Sequence, residues 1–374
     1  MSESGLFAND SDAQWICAAA LAALPMQTPR RLRRLIDLGQ PRDVWTMLQS
    51  GHRPLAGIGD DVWRTWSGAS SLLPQEMMSR CAQAGITVVT RHDVEFPSVL
   101  MMDPDAPAVL FVQGHLGVLA NRRVGMIGTR GATRFGRHFA RTLGRDLASE
   151  SVCVVSGLAR GIDVESHVGA LEASGKQASS PAAVVASGLD IVYPPEHEKI
   201  WKEIGHRGVL ITEAPPGTPP EAYRFPMRNR IIAALSEVLV VVESRYTGGS
   251  MITVREAMKR DVTVMAVPGA PGLGTNEGTN ELLRDGCGPV TCAQDVLMAL
   301  GLDHRRAVQW IDPRLRPEPK EYALLVLMGR RPVTLDELAL LSGHAVVATA
   351  VTLGRLEAKG WVCQSDGWWE ALLA

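Results

Sequence analysis

Six short apolar runs recur between residues 124 and 267, and they constrain the fold more than any other feature of the chain. They cover 124–127, 152–155, 182–186, 209–211, 238–242 and 262–267, and helical patterns separate them. Each run is continuously apolar, without the alternation of a half-solvated strand. Strands buried on both faces read this way, and they belong to parallel sheets whose crossover helices cover both sides. An α/β fold with a doubly wound, mostly parallel sheet is therefore expected, and ligands of such sheets bind beyond the carboxyl ends of the strands.

The flanking segments read differently. Residues 11–72 carry short helical patterns at 15–24, 31–38, 41–48 and 60–66, broken by Pro and Gly. Within them Leu55-Ala-Gly-Ile-Gly59 resembles a helix-hairpin-helix loop, which serves either as a DNA contact or as a plain helical cap. After residue 302 periodicity is lost in a Pro- and Arg-rich stretch that reads as a linker. Three helical patterns (318–328, 334–341, 346–359) and two short apolar runs (361–365, 368–371) around Asp366-Gly367 then predict a winged helix. The expected domains are 1–75, a small helical SAM-like or helix-hairpin-helix-like domain; 76–302, the extended sheet domain; 303–317, the linker; and 318–374, the winged helix.

Apolar residues at 46% against 21% charged give a globular balance rather than disorder. No run approaches the roughly 20 apolar residues of a membrane helix. The start, MSESGLFANDSD, lacks the basic-then-apolar pattern of a secretory leader, so a cytoplasmic protein without membrane insertion is expected. Six cysteines without a CxxC pair indicate neither a disulfide framework nor a zinc site. The net charge of −2 conceals an uneven distribution: between Asn121 and Arg145 lie seven arginines and no acidic residue.

The loops after the runs read Gly128-Thr129-Arg130-Gly131, Ser156-Gly-Leu-Ala-Arg-Gly-Ile-Asp163, Ser187-Gly-Leu-Asp190 and Glu243-Ser-Arg-Tyr-Thr-Gly-Gly-Ser250. Glycines let successive N–H groups converge on an anion, and a following helix N-terminus adds positive dipole. Several such nests side by side suit a run of phosphates. A dinucleotide site fits less well, because Gly125, Gly128 and Gly131 do not form G-x-G-x-x-G.

On the helix after the first loop, at 100° per residue, Arg134, Arg137, His138, Arg141 and Arg145 fall within a sector of about 100°, whereas Phe135, Phe139, Leu143 and Leu147 lie between about 100° and 220°. A merely solvated face would mix acids among the arginines, so the stripe points to a polyanion. Glu165 and His167, on the helix after Asp163, lack a metal or nucleophile partner at fixed spacing, and a packed histidine is expected. Trp310, Trp361, Trp368 and Trp369 are expected in the core or wing rather than as base-stacking platforms.

Taken in order, six motifs resemble the DNA-processing protein A (DprA/Smf) family over nearly the whole chain. They are Gly128-Thr-Arg130, Val155-Ser-Gly-Leu-Ala-Arg-Gly-Ile-Asp163, Gly188-Leu-Asp-Ile-Val-Tyr-Pro194, Phe225-Pro-Met-Arg-Asn-Arg-Ile-Ile-Ala233, Thr247-Gly-Gly-Ser-Met-Ile-Thr253 and Ala266-Val-Pro-Gly269. The resemblance implies a Rossmann-like domain, single-stranded DNA as ligand, RecA recombinase and single-strand-binding protein as partners in natural transformation, a homodimer, and no cofactor, metal or catalytic residue. It implies that Arg130 clamps a phosphate, that Ser156, Gly157 and Gly161 make backbone contacts, that Tyr193 lies in a loop supporting base or sugar contact, and that Gly248, Gly249 and Ser250 form a second phosphate cradle. Gly128, Thr129, Arg160, Gly188, Asp190, Arg228, Asn229 and Arg230 in the same motifs, with Arg134 and Arg137 on the basic helix face, complete the candidate DNA contacts. Pro195 and His197 depart from the family, which often carries Asn and a basic residue there.

Two other readings compete. Residues 247–253 with Glu256 resemble the PGG-x-GT-x-x-E loop of nucleoside-monophosphate phosphoribohydrolases, although Thr247 replaces the proline. A DNA-binding regulator would use the winged helix, where Asp336, Glu337 and Glu357 offset His344, Arg355 and Lys359.

Overall fold

The computed structural model describes residues 10–69, 71–101, 103–175, 177–302, 314, 317–329, 332–365 and 367–372. Trp310, Asp366 and most of the 303–317 linker lie outside the described residues. The chain divides into two compact units, 1–302 and 303–374.

In the first unit five helices come first: α1 (Asp10–Ala22), α2 (Pro29–Ile36), α3 (Pro41–Gln49), α4 (Asp60–Ser67) and α5 (Leu73–Ala84). A nine-stranded sheet follows, built from β1 (Thr87–Thr90), β2 (Val109–Gly114), β3 (Arg123–Ile127), β4 (Cys153–Ser156), β5 (Ala182–Val184), β6 (Val209–Thr212), β7 (Val238–Val241), β8 (Thr263–Ala266) and β9 (Gly288–Pro289). Its order is β1-β2-β6-β5-β4-β3-β7-β8-β9. Strands β3 to β9 pair in parallel, and β1 and β2 close one edge antiparallel. The six apolar runs are six of these strands, and the mixed α/β architecture with a large, mostly parallel sheet is as expected.

The helices between the strands are α6 (Ser98–Met101), α7 (Arg134–Ser149), α8 (Ile162–Glu172), α9 (Glu198–Arg207), α10 (Arg224–Leu235), α11 (Ser250–Met258) and α12 (Glu277–Arg284), and α13 (Ala293–Ala299) follows the last strand. Both sheet faces are covered, which explains the uninterrupted apolar runs. On β4, Val154 packs in the cluster with Ala140, Leu143 and Leu147 of α7, while Cys153 and Val155 point into the opposite cluster with Ile231 and Ile232 of α10. The early helices are not isolated from the sheet: Leu21, Leu35 and Trp66 share one cluster with Phe111 of β2 and Leu210 of β6.

Helix α7 departs from the expected orientation. Phe135, which shares the apolar arc of Phe139, Leu143 and Leu147 on the helical wheel, is 64% exposed, and the buried arc shifts to Gly136, Ala140, Leu143, Gly144 and Leu147. The cause is α8, which lies against α7 so closely that a Cβ on Gly144 would stand 2.4 Å from the Ser166 carbonyl oxygen, and one on Gly169 would stand 1.9 Å from that of Arg141. The small residues must face this contact, and Phe135 rotates away from the core.

The second unit comprises α14 (Pro319–Met328), β10 (Val333–Thr334), α15 (Leu335–Ser342), α16 (Val346–Ala358), β11 (Val362–Ser365) and β12 (Trp368–Ala371). Its strands form an antiparallel sheet in the order β10-β12-β11 over a core of Leu324, Met328, Leu338, Leu353 and Leu356. Trp361 and Trp369 pack against that core, whereas Trp368 is half exposed. Among the described residues no single helix is long and apolar enough to cross a membrane, although α15 and α16, bent by 109°, pass that test as a pair. All described cysteines are free, with Cys17, Cys81 and Cys153 buried, and no cluster of metal-ligating side chains occurs among the described residues.

Candidate nucleic-acid interface

Strand order reverses between β3 and β7: the chain leaves β3 toward β4 on one side and reaches β7 from α10 on the other. A crevice opens beyond the carboxyl ends at such a switch point. Here it is an open groove of about 650 Å³ that brings together Gly128, Thr129, Arg130, Tyr193, Arg228, Asn229, Gly248, Gly249 and Ser250. A recess beside it adds Gly157 and Arg160.

Arg130 is the most prominent cation of the groove. It is exposed, and among the described residues no carboxylate forms an ion pair with it. Its guanidinium lies 4.9 Å from the ring centre of Phe225, and Phe225 meets Tyr193 at 5.6 Å. The resulting Arg–Phe–Tyr cluster, its two rings inclined at 51°, combines a fork for a phosphate with aromatic surface. Opposite, α11 starts at Ser250, and among the described residues the N–H groups of Gly249 and Ser250 have no backbone acceptor. Arg245, exposed, also lines the groove.

The other expected contacts are engaged within the protein itself. Arg228 is buried: it donates to the carbonyl oxygens of Gly157 (2.7 Å) and Val184, and to Asn229 Oδ1 (3.2 Å). Gly157 leaves room for this, since a Cβ would stand 2.5 Å from that guanidinium and would have to displace it. Burial lowers Arg228 to about 10, with Asp163 opposing the shift and Arg130 adding to it. Ser156 is fully buried and its hydroxyl donates to the Met126 carbonyl.

The loop 157–161 is not an empty nest. The Asp163 carboxylate accepts backbone hydrogen bonds from Ala159 and Gly157, so an internal anion already occupies it. Gly161, at φ 81°, lies against the Thr129 carbonyl and ties this loop to the Arg130 loop.

Gly188 packs on the Pro215 carbonyl, and Asp190 accepts from the Gly217 N–H at 2.9 Å. Arg230 pairs with Glu213, whose own carboxyl is raised by burial and partly restored by Arg230. Arg160 pairs with the exposed Glu196. His197 is buried with Nδ1 3.0 Å from the Leu158 carbonyl, so this departure from the family is a packing position.

The basic face of α7 is also only partly available. Arg141 pairs with Glu172 and Arg145 with Asp146, whereas Arg134 and Arg137 are exposed without an ion pair among the described residues. Glu243 joins α7 to the groove. Its carboxylate accepts from the Thr133 N–H (2.9 Å) and hydroxyl, and its carbonyl accepts from the Thr129 N–H (2.7 Å).

Glu165 and His167 form no catalytic pair. His167 is fully buried, and burial pushes its imidazole down to about 3, against roughly 6.5 in an unfolded chain. Between these values the unfolded state takes up a proton that the folded state refuses, so stability is lost as pH falls from about 6.5 to 3, at about 1.4 kcal/mol per pH unit. Asp163 acts in the opposite sense. Burial raises it to about 6, so the folded state binds a proton first and gains stability as pH falls from about 6 to 4. Comparison of the parent with His167→Leu by urea denaturation isolates the histidine: the stability difference should shift in the variant's favour below pH 6.5. Parallel pH profiles would show that the ring protonates as readily folded as unfolded.

Phe225, Arg245 and the internal anion Asp163 were not singled out by sequence reasoning. Phe225 and Asp163 stand inside recognised motifs and Arg245 inside a recognised loop, which was the available signal.

With this geometry in place, residues 87–301 match the family model described as DNA recombination-mediator protein A. The chain is 36% identical over 277 residues to the putative DNA processing protein DprA of Mycobacterium tuberculosis, covering 72% of this chain and 70% of that one. Its fold resembles the X-ray structure of DNA processing protein A from Streptococcus pneumoniae (TM-score 0.64, 28% identity, 76% and 97% of the two chains). It also resembles that protein from Helicobacter pylori, whose structure describes a single-stranded DNA binding mode (TM-score 0.52, 27% identity, 58% and 96%). The sheet, its switch-point groove and the match over more than half its length identify this chain as a member of the DNA recombination-mediator protein A family.

Proposed function

We propose that this protein binds single-stranded DNA along the groove between the β3 and β7 loops and, as a cytoplasmic homodimer, passes it from single-strand-binding protein to RecA recombinase in natural transformation. The observation that carries the reading is the Arg130–Phe225–Tyr193 cluster, which lines one groove with Arg245 and the start of α11. Phosphate charge and base rings are both met within one groove, as single-strand binding requires. The DNA-binding role named for the Helicobacter pylori relative supports it.

The mediator acts without catalysis or cofactor in this reading. Glu256, the carboxylate that a phosphoribohydrolase comparison would employ, pairs with Lys259 and Arg260 instead of facing the groove. A regulator reading through the winged-helix-like second unit is not favoured either, since Lys359 pairs with Glu321 and α16 exposes Val346, Val347 and Val351.

Duplex DNA presents its bases stacked and its backbone stiff, so it cannot enter the groove as a single strand can. Fluorescence anisotropy at one salt concentration should therefore show tighter binding of a single-stranded oligonucleotide than of a duplex of equal length. Equal affinity for both would place DNA recognition outside the groove.

A further inference from the structure

Phe135 is the largest unexplained exposure beside the groove. It stands 64% exposed in the first turn of α7, between Arg134 and Arg137, with His138 exposed on the following turn. Its ring stacks on Phe139, with centroids 6.1 Å apart and planes inclined at 25°. Phe139 in turn packs against the core cluster of that sheet face. One side of the Phe135 ring is thus held in a fixed orientation, and the rest faces solvent.

Charge points to the ligand class. Farther along the helix Arg141 and Arg145 are neutralised by Glu172 and Asp146, so the unpaired positive charge of α7 is concentrated around this ring. An aromatic flanked by unpaired arginines is complementary to a strand that carries bases and phosphates together.

Position links it to the groove. Four Cα–Cα steps, about 14 Å at full extension, lead from Arg130 to Arg134. Glu243 fixes the start of α7 to the loops bearing Thr129 and Arg245. The start of α7 is therefore within reach of a strand that extends beyond Arg130.

We propose that Phe135 is a base-stacking platform for single-stranded DNA leaving the groove, with Arg134 and Arg137 pairing the neighbouring phosphates. The inference rests on the single-strand reading above and extends the binding track onto α7. Stacking of one base should strengthen binding only for oligonucleotides long enough to reach the helix.

The test compares full-length parent, Phe135→Ala and Phe135→Trp by anisotropy with a short oligothymidylate confined to the groove and one several-fold longer. Phe135→Ala should weaken the long oligonucleotide roughly 5- to 100-fold, leave the short one unchanged, and keep the salt slope of the parent, because stacking neutralises no phosphate. Phe135→Trp should restore long-strand affinity. Equal loss for both lengths, or no loss for either, would overturn the platform. So would a change in oligomeric state with unchanged DNA affinity, which would make Phe135 a protein contact. If the parent itself binds neither oligonucleotide, the single-strand reading fails along with the platform, and that result is separable from failure of the platform alone.

Discussion

Replacement of Arg228 by methionine is expected to destabilise the first unit by about 3 to 5 kcal/mol, the cost of leaving a buried charge without its partner. The arginine is 5% exposed, its guanidinium donates to the carbonyls of Gly157 and Val184, and it neutralises the fully desolvated Asp163. Methionine fills a similar volume but leaves two carbonyls without a donor and the carboxylate without a counter-charge. A fall in the urea midpoint would show this, with DNA binding lost only as the fold is lost. If the variant instead keeps parental stability and binds DNA weakly, Arg228 belongs to the ligand and its burial is relieved on binding.

Arg130→Ala should produce the opposite pattern. The side chain is exposed and lies over the face of Phe225, so fold stability should change little. Loss of a charged, forked hydrogen bond should weaken single-strand binding by about 1 to 3 kcal/mol. The slope of log affinity against log salt should also become shallower by about 0.7, one phosphate's worth. Lysine should recover the charge and the slope but not the full affinity, because it cannot stack its head on Phe225 or present a planar fork. An unchanged slope with unchanged affinity would remove Arg130 from the DNA path.

The contrast between these two arginines shows where sequence stops informing. The parallel sheet was legible because burial on both faces leaves an unbroken apolar run, and no surface strand produces that pattern. Strands β1 and β2 and helix α5 lie outside the six runs: β2 is as apolar and buried as they are but pairs antiparallel with β1 and β6, which an apolar run alone does not reveal, and α5 carries polar residues on its exposed side. The groove itself was legible because the loops after β3 and β7 flank a switch point. What stood inside each loop was not. Arg130 and Arg228 both stand within recognised motifs, and only the packing of α10 against β4 and β5 turns Arg228 inward. Likewise Gly157 and Gly188 look like anion-binding glycines in sequence, yet they are small to admit a guanidinium and a carbonyl. On α7 the helical wheel placed the cations correctly but not Phe135, because the wheel could not foresee that α8 would claim the glycine side.

The central claim is that phosphate contacts in the switch-point groove hold single-stranded DNA, and salt titration of the intact protein tests it most directly. Affinity for a single-stranded oligonucleotide, measured by anisotropy over a range of salt concentrations, should fall linearly on logarithmic axes by about 0.7 per phosphate neutralised, with a slope equivalent to several phosphates. An affinity that stays flat as salt rises would contradict the account.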